Sequence, residues 1–429
     1  MTDRFGWLSR VKAPVLVSYA AFVFIGVYAG TGGVLLLAQM NGYGVDRATI
    51  GITFFTNSAG FVLAGLSNGA LMQRFGIRMA LAVGGGAFML AGLYIATRPP
   101  FAAFVAIQLL IGYGTGVLES VLNTYITSMP SATSLLNRLH AFFGVGALLG
   151  PVLAAWIVSF TSWTVVWLVL TVTCVPLTAS FLAAYPGPAP TWPAAAAPEP
   201  RAQPPEPGTH PADTGTRATE EHGSPAGRLL AAALRDPGVL CGAAMLAVYV
   251  GLEIGVGNWG FSYLVQARGL TGTLAGYSVS GYWLGLTAGR FLISPVAARA
   301  GVTTVRMMYA CLAGTIVAAT LAWLAPTAAA SSAALVLLGF FLGPVFPTTM
   351  AITPRLTTPR LVPTAIGVLN AAAIVGGAAL PWLAGVIAQG TGIWTLLPFS
   401  IALGVLQLAV WRPLAARSRT GARAGTGGL

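Results

Sequence analysis

Long apolar segments follow one another through most of this 429-residue chain, separated by short turns that contain Gly, Pro or Arg. A helix needs about 20 apolar residues to cross a bilayer core about 30 Å thick. Twelve segments come close to that length, so we predict an all-α integral membrane protein with twelve transmembrane helices. The predicted spans are 13–38, 49–72, 79–97, 101–127, 139–160, 163–184, 238–265, 273–296, 304–324, 331–352, 363–388 and 393–411.

The composition excludes the soluble classes of protein. Hydrophobic residues make up 56% of the chain and charged residues only 7%, whereas a soluble domain has about 25% charged residues. Soluble enzymes, nucleic-acid binders and disordered proteins are therefore ruled out. The three cysteines lie in apolar runs without the spacing of a metal site. We expect no metal and no cofactor.

Basic residues are distributed unevenly between the loops on the two sides of the predicted spans. Nineteen lie on the side that holds both termini, and only Arg47, Arg98 and Arg268 lie on the other. Lys and Arg are retained on the cytoplasmic side of a membrane. The distribution predicts a multi-pass protein of the cell membrane with both termini in the cytoplasm, and it accounts for most of the net charge of +12.

One segment, 185–236, breaks the apolar pattern. Eleven prolines fall between Pro186 and Pro225, together with mixed charges and few large apolar residues. Such a composition is typical of a disordered linker. We therefore divide the chain into an N-terminal six-helix bundle (1–184), a cytoplasmic linker (185–236), a C-terminal six-helix bundle (237–411) and a basic cytoplasmic tail (412–429).

The two bundles are related by an internal repeat. A shift of 225 residues superimposes six glycines of the first two spans on six glycines of the seventh and eighth spans without a gap. It also places Arg74 on Arg299. The glycine pairs are Gly26 and Gly251, Gly30 and Gly255, Gly32 and Gly257, Gly44 and Gly269, Gly51 and Gly276, and Gly60 and Gly285.

Two parallel six-helix repeats joined by a linker resemble the major facilitator superfamily of transporters. The segment from Gly69 to Arg78 is similar to that superfamily's loop 2–3 signature, G-x-L-x-D-R-x-G-R-K. Gln73 stands where the signature usually has an acid, which weakens a charge-relay gate around Arg74. The resemblance implies that spans 1, 4, 7 and 10 line a central cavity and that solute binds between the halves near the midplane.

Shorter motifs look like the fucose/proton symporter branch of that superfamily. They are Leu118–Asn123, Asn137–Pro151, Tyr249–Trp259 and the pairs Tyr282–Trp283 and Gly289–Arg290. This resemblance implies proton-coupled symport of a sugar. The chain departs from the branch in its first span, which has no acid, and Tyr28 occupies the repeat position of Glu253.

Glu119 and Glu253 are the only carboxylates within the predicted spans. A charged carboxylate at the centre of a membrane helix costs about 2.5–3.5 kcal/mol, which favours a function for any that is present. Burial disfavours the charged form, so proton binding can be linked to conformation. We predict that both residues couple protons and contact solute. The alternative is a structural carboxylate paired with His140 or Arg290.

Further candidates come from polar and aromatic residues in the spans. Gln108, Thr115, Glu119 and Asn123 form one stripe on the fourth span, which predicts that Gln108 and Asn123 face the cavity. Asn57, Asn370, Trp259, Tyr282 and Trp283 are further predicted solute contacts, although interhelical hydrogen bonding or packing explains them equally well. Arg74, His140 and Arg290 are predicted to serve gating or proton relay, with His140 opening the fifth helix.

The predicted function is secondary active transport by alternating access, as a monomer, rather than enzymatic catalysis. The expected partners are protons, a small neutral solute such as a sugar, and the lipid bilayer. Sodium would use the same carboxylates. Two alternatives stay open at this point: a proton-driven exporter of amphipathic metabolites or drugs, and a membrane sensor or scaffold that transports nothing.

Overall fold

A computed structural model describes residues 3–129, 131–185 and 225–424, and all regular secondary structure in these ranges is helical. The helices are α1 (Asp3–Tyr43), α2 (Arg47–Ile50), α3 (Ile52–Ala96), α4 (Phe101–Thr127), α5 (Ala132–Val158), α6 (Trp163–Ala184), α7 (Pro225–Ala233), α8 (Pro237–Gln266), α9 (Gly272–Arg299), α10 (Thr304–Leu324), α11 (Ala328–Leu342), α12 (Val345–Ile352), α13 (Val362–Thr391) and α14 (Leu396–Ala424). Short 3-10 turns occupy Thr353–Arg355, Pro359–Leu361 and Ile393–Thr395.

Ten helical segments within the described residues are long and apolar enough to cross a membrane. They contain eleven of the twelve predicted spans, and α9 contains the other. α3 contains two of the spans, because helix continues on both sides of Gly76, whose φ of 76° and ψ of 169° are not helical. α9 contains the eighth span but falls outside the ten, and it carries Arg290 and several hydroxyl side chains. The predicted all-α membrane fold is confirmed.

Helix extends into two segments that the sequence analysis placed outside the bundles. Within the predicted linker, residues 186–224 lie outside the described part of the chain, but 225–233 form α7. Ala233 at the end of α7 is fully buried in a small apolar cluster with Leu246 and Leu369, and this contact holds α7 against the C-terminal bundle. α14 continues through the predicted tail as far as Ala424.

The internal repeat is visible in the backbone. Gly44 and its repeat partner Gly269 have φ values of 65° and 69°, and Gly76 and Gly301 have 76° and 67°. These positive φ values are accessible to glycine at little cost and are rare for other residues. The same chain reversals therefore follow corresponding helices in both halves.

The repeat also governs how the helices pack. Within the N half (α1–α6), α1 packs on α5 and α3 packs on α4. Within the C half (α8–α14), α8 packs on α13 and α9 packs on α11. A Cβ atom on Gly112 of α4 would overlap the carbonyl oxygen of Asn57, and one on Gly339 of α11 would overlap that of Tyr282. Asn57 and Tyr282 are themselves related by the 225-residue shift, so the close approach is conserved between the halves.

We expect Gly60→Ala to destabilise the N half. A methyl group there would overlap the carbonyl oxygen of Leu109 in α4, and overpacking of this kind costs about 1–3 kcal/mol. Gly86→Ala, in the same helix, is the matched control, because a Cβ there meets no atom within 4 Å. Thermal unfolding in detergent measures both. Equal unfolding midpoints for the two variants would contradict this account of the helix contact.

Candidate solute-binding site

A cavity of about 240 Å³ lies between the two halves. α1, α3, α4 and α6 contribute its wall from the N half, and α8, α9 and α13 contribute from the C half. None of the described residues that line it carries a charge. The polar and aromatic lining residues are Tyr28, Thr31, Gln39, Thr53, Phe54, Asn57, Ser58, Phe104, Gln108, Trp167, Asn258 and Trp283.

An interhelical hydrogen bond organises the N-half wall of the cavity. The Asn57 side-chain amide donates to the Tyr28 hydroxyl at 3.0 Å and, more weakly, to the Gln108 carbonyl at 3.5 Å. α1, α3 and α4 are therefore joined at this level. The Thr31 hydroxyl donates to the Tyr28 carbonyl within α1, at 2.7 Å.

Two tryptophans place aromatic rings at opposite walls. Trp167 of α6 lies beside Tyr28, with ring centroids 6.1 Å apart. Trp283 of α9 packs edge-on against Tyr282 at 5.4 Å. A Cβ on Gly257 would lie 2.7 Å from the Trp283 ring, so the glycine makes room for the indole. The cavity thus has an indole ring from each half.

Glu253 is paired within the C half and is not a lining residue. Its carboxylate lies 3.5 Å from an Arg290 guanidinium nitrogen, and the two side chains are 14% and 25% exposed. The Tyr249 hydroxyl accepts from Arg290 at 3.3 Å. Tyr282 donates its hydroxyl proton to the Glu253 carbonyl at 3.0 Å. The pairing with Arg290 that the sequence left open is present.

Glu119, unlike Glu253, forms no ion pair with a described residue. Its side chain is partly exposed, and no described residue hydrogen-bonds to it or forms an ion pair with it. Gln108 on the same helix lines the cavity, but Glu119 follows eleven residues later, which is about 16 Å along a helix that rises 1.5 Å per residue. Asn123, one turn further on, is also partly exposed and outside the cavity lining.

His140 lies well inside α5, because that helix begins at Ala132 and not at His140 as the sequence suggested. Its imidazole packs edge-on against Phe22 at 5.6 Å. It also lies close enough to Arg290 for the two groups to repel each other electrostatically when charged. His140 belongs to the N half and Arg290 to the C half, and their helices α5 and α9 pack against each other.

The remaining predicted site residues do not line the cavity. Trp259 is fully buried; its indole donates to the Pro381 carbonyl at 2.8 Å, and its ring meets Phe54 of the N half edge-on at 6.4 Å. Asn370 is exposed on α13. Arg74 lies over the ring of its neighbour Phe75, at 5.4 Å. Of the predicted solute contacts, the structure brings Asn57, Gln108 and Trp283 together in one cavity.

Sequence reasoning missed Gln39, Asn258 and Trp167 as lining residues. A signal for Gln39 was present, because Tyr28, Leu35 and Gln39 follow one face of the apolar helix α1. Asn258 directly precedes Trp259, and the sequence analysis chose the tryptophan of this motif as the solute contact and passed over the asparagine. Among the described residues, no group of three or more His, Cys, Asp or Glu side chains is arranged to hold a metal ion.

Several solved transporters share this architecture. A bacterial homologue of the human lysosomal transporter Spinster, inward-facing and unoccupied, matches with a TM-score of 0.70 and 13% identity, covering 96% of this chain and 98% of its own. The nucleoside transporter NupG matches at 0.71 and 13%, covering 94% and 99%. A D-xylose-proton symporter matches at 0.68 and 13%, covering 94% and 97%. At these identities the likeness establishes the fold.

Sequence comparison identifies the family. Bypass of stop codon protein 6 of Saccharomyces cerevisiae is 27% identical over 393 residues, which cover 89% of this chain and 78% of the yeast protein. A family model described as Major Facilitator Superfamily matches residues 17–331 and 257–427. These matches span both repeats and their junction, and the chain belongs to the major facilitator superfamily.

Proposed function

We propose that this protein is a secondary active transporter that couples proton movement to the symport of a small neutral solute such as a sugar, by alternating access. The observation that carries the proposal is the uncharged, amide-rich and aromatic cavity between the halves. The motif resemblance to the fucose/proton symporter branch and the fold shared with a D-xylose-proton symporter point in the same direction.

The lining favours an uncharged solute. A charged solute would lose its hydration in a cavity whose described walls offer no opposite charge, and that loss is costly. Asn57, Gln108 and Asn258 each carry an amide that both donates and accepts, which suits hydroxyl groups. The buried N–H groups of Gln39, Trp167 and Trp283 lack a hydrogen-bond partner among the described residues, and the solute's oxygens are the acceptors we propose for them.

The carboxylates are proposed to act on the cytoplasmic side of this cavity. By the charge distribution of the loops, α1 begins and α4 ends on that side, so Glu119 lies closer to the cytoplasm than Gln108 does. Glu119, which is partly exposed and has no hydrogen-bond or ion-pair partner among the described residues, is the proposed proton carrier. Protonation of Glu253 would remove its negative charge and free Arg290 from the ion pair. Glu253 would therefore be a second carboxylate that responds to proton binding.

We expect Glu119→Gln to abolish solute accumulation driven by a proton gradient. Glutamine keeps the shape and polarity of the side chain but binds no proton. Uptake of a panel of sugars, polyols and nucleosides into proteoliposomes, with the outside made acidic, measures the effect beside wild type. Counterflow without a gradient serves as the control, and it should persist in the variant.

Three outcomes would overturn the symport proposal. Unaltered gradient-driven uptake in Glu119→Gln would remove Glu119 from coupling. Movement of solute against the direction of the proton would identify an exporter. Absence of flux for every solute of the panel would favour a sensor or scaffold.

We expect Asn57→Ala to raise the KM for the transported solute by about fivefold to tenfold, the effect of losing a hydrogen bond worth about 1 kcal/mol. The substitution removes both an amide of the lining and the bond to Tyr28. Asn68→Ala, on the same helix, is the matched control, because Asn68 is buried but does not line the cavity. Concentration dependence of uptake measures both, and an equal KM in the two variants would contradict the location of the site.

We expect Glu253→Gln to lower stability, because it leaves Arg290 without its carboxylate in a largely buried position. The cost is up to about 3 kcal/mol for a pair that keeps some contact with water. The double variant Glu253→Gln with Arg290→Gln should recover much of the unfolding temperature without recovering proton-driven uptake. Recovery of both would reduce the pair to a structural role.

A further inference from the structure

A second pocket lies in the C half and shares no lining residue with the solute cavity. The end of α9, the start of α10 and the short helix α12 line it. Its volume is about 340 Å³, which falls within the range of about 300–1,000 Å³ that is typical of small-molecule sites. Most of its lining side chains are small, and three of them carry hydroxyl groups: Ser294, Thr304 and Thr348.

The small side chains of this pocket are specific to the C half. The 225-residue shift relates the lining residues Ala297 and Thr304 to Met72 and Met79 of the N half. Methionine at either C-half position would occupy space that is open in the pocket. The pocket therefore follows from the C-half sequence and not from the scaffold that the two halves share.

Thr348 directs an unpaired hydroxyl into the pocket. The residue is only 7% exposed, and its hydroxyl makes no hydrogen bond to a described residue. Its oxygen is not among the unpartnered atoms that are fully inaccessible, so it is open to the pocket that Thr348 lines. The next residue, Thr349, donates to the Val345 carbonyl of its own helix at 2.8 Å. The sheltered Thr348 hydroxyl is instead available to a ligand.

Two further hydroxyls at the pocket are also unpaired. Ser294, near the end of α9, hydrogen-bonds to no described residue through its side chain, whereas Thr287 of the same helix donates to the Trp283 carbonyl at 2.9 Å. Thr304 is the first residue of α10, and its hydroxyl has no partner among the described residues either. Three O–H groups that can donate to a ligand's oxygens therefore meet at one pocket.

The N-terminus of α10 lies at the pocket, because Thr304 is a lining residue. The Thr303 side chain caps this helix by accepting from the Arg306 backbone N–H at 3.4 Å. The backbone N–H groups of Thr304 and Val305 have no acceptor among the described residues. Free N–H groups and the helix dipole at such a terminus favour an anion.

Two arginines flank the pocket. Arg299 directly follows the lining residue Ala298, and Arg306 directly precedes the lining residue Met307. Both arginines are exposed, and neither guanidinium has a hydrogen bond or an ion pair with a described residue. None of the described residues that line the pocket carries a negative charge. An anionic ligand would therefore meet complementary charge and no repelling carboxylate in this lining.

We propose that this pocket binds a phosphate group, with Ser294, Thr304 and Thr348 as hydrogen-bond donors and Arg299 and Arg306 as counter-charges. An anionic phospholipid headgroup and a free phosphate ion present the same acceptor oxygens to these groups. By the charge distribution of the loops, the pocket lies at the cytoplasmic end of the C half. The bound group joins α9, α10 and α12, and the proposal does not depend on which solute or ion the cavity handles.

Binding to the full-length protein in detergent tests the site with two probes. Radiolabelled inorganic phosphate is titrated at constant ionic strength, so that general screening of charge does not change. Phosphatidylglycerol is titrated separately and its binding is counted by native mass spectrometry, with diacylglycerol as the matched lipid that lacks a phosphate. At least one of the two phosphate probes should bind the wild-type protein in a saturable way.

We expect Thr348→Val to weaken binding of that probe by about tenfold or more, the effect of losing a hydrogen bond to a charged group. Thr349→Val is the matched control, because Thr349 is buried, bonds within its own helix and does not line the pocket. Its affinity should equal that of the wild type. Ala297→Met, which introduces the residue found at the corresponding N-half position, should fill the pocket and abolish binding.

Arg299→Gln keeps the test decisive if Thr348→Val fails to fold, because Arg299 is exposed. It should also weaken binding, whereas Arg74→Gln, at the repeat position in the N half, should not. Binding of phosphatidylglycerol alone would support a lipid headgroup as the source of the phosphate, and binding of inorganic phosphate would support the free ion. The proposal is overturned if neither probe binds, or if Thr348→Val and Thr349→Val bind the probe with equal affinity.

Discussion

A hydrocarbon environment that offers no hydrogen bonds to the backbone constrains every other feature of this protein. Each span satisfies its own N–H and C=O groups by forming a helix, and the helices then associate through close backbone contacts. The glycines at Gly60, Gly112 and Gly339 allow that approach, since a Cβ atom at each would overlap a carbonyl oxygen of the neighbouring helix. The same constraint makes a charge at membrane depth costly. Of the two carboxylates in the described spans, Glu253 is paired with Arg290 and Glu119 is partly exposed.

The charged groups of the described spans are not among the residues that line the cavity. The cavity contains amides, hydroxyls and indoles, while Glu119 and the Glu253–Arg290 pair lie outside its lining. In the proposed mechanism this separation lets a neutral solute and a proton occupy different sites. Both sites lie between or beside the same moving halves, so each can bias the same conformational equilibrium.

The two halves share a scaffold but differ in chemistry. The 225-residue shift relates Tyr28 to Glu253, Asn57 to Tyr282 and Gly65 to Arg290. In the N half the first two of these positions form a neutral hydrogen bond at the cavity wall. In the C half they contact each other through the Glu253 backbone, and the Glu253 side chain turns to Arg290 instead. Symmetry of packing therefore coexists with a charged pair on one side only.

The helices, the repeat and the scarcity of acids were determined by the sequence alone, because the length and apolar character of each span and the shared glycine positions are properties of the chain in one dimension. Tertiary structure decided which polar residues meet. Trp259 and Trp283 are equally plausible in the sequence, but one is buried on Pro381 and the other lines the cavity. The contacts of α2 with Gln266 and Gln389 join residues more than 200 positions apart. Such contacts depend on how the two halves are placed against each other, and hydropathy and spacing within a single helix carry no information about that placement.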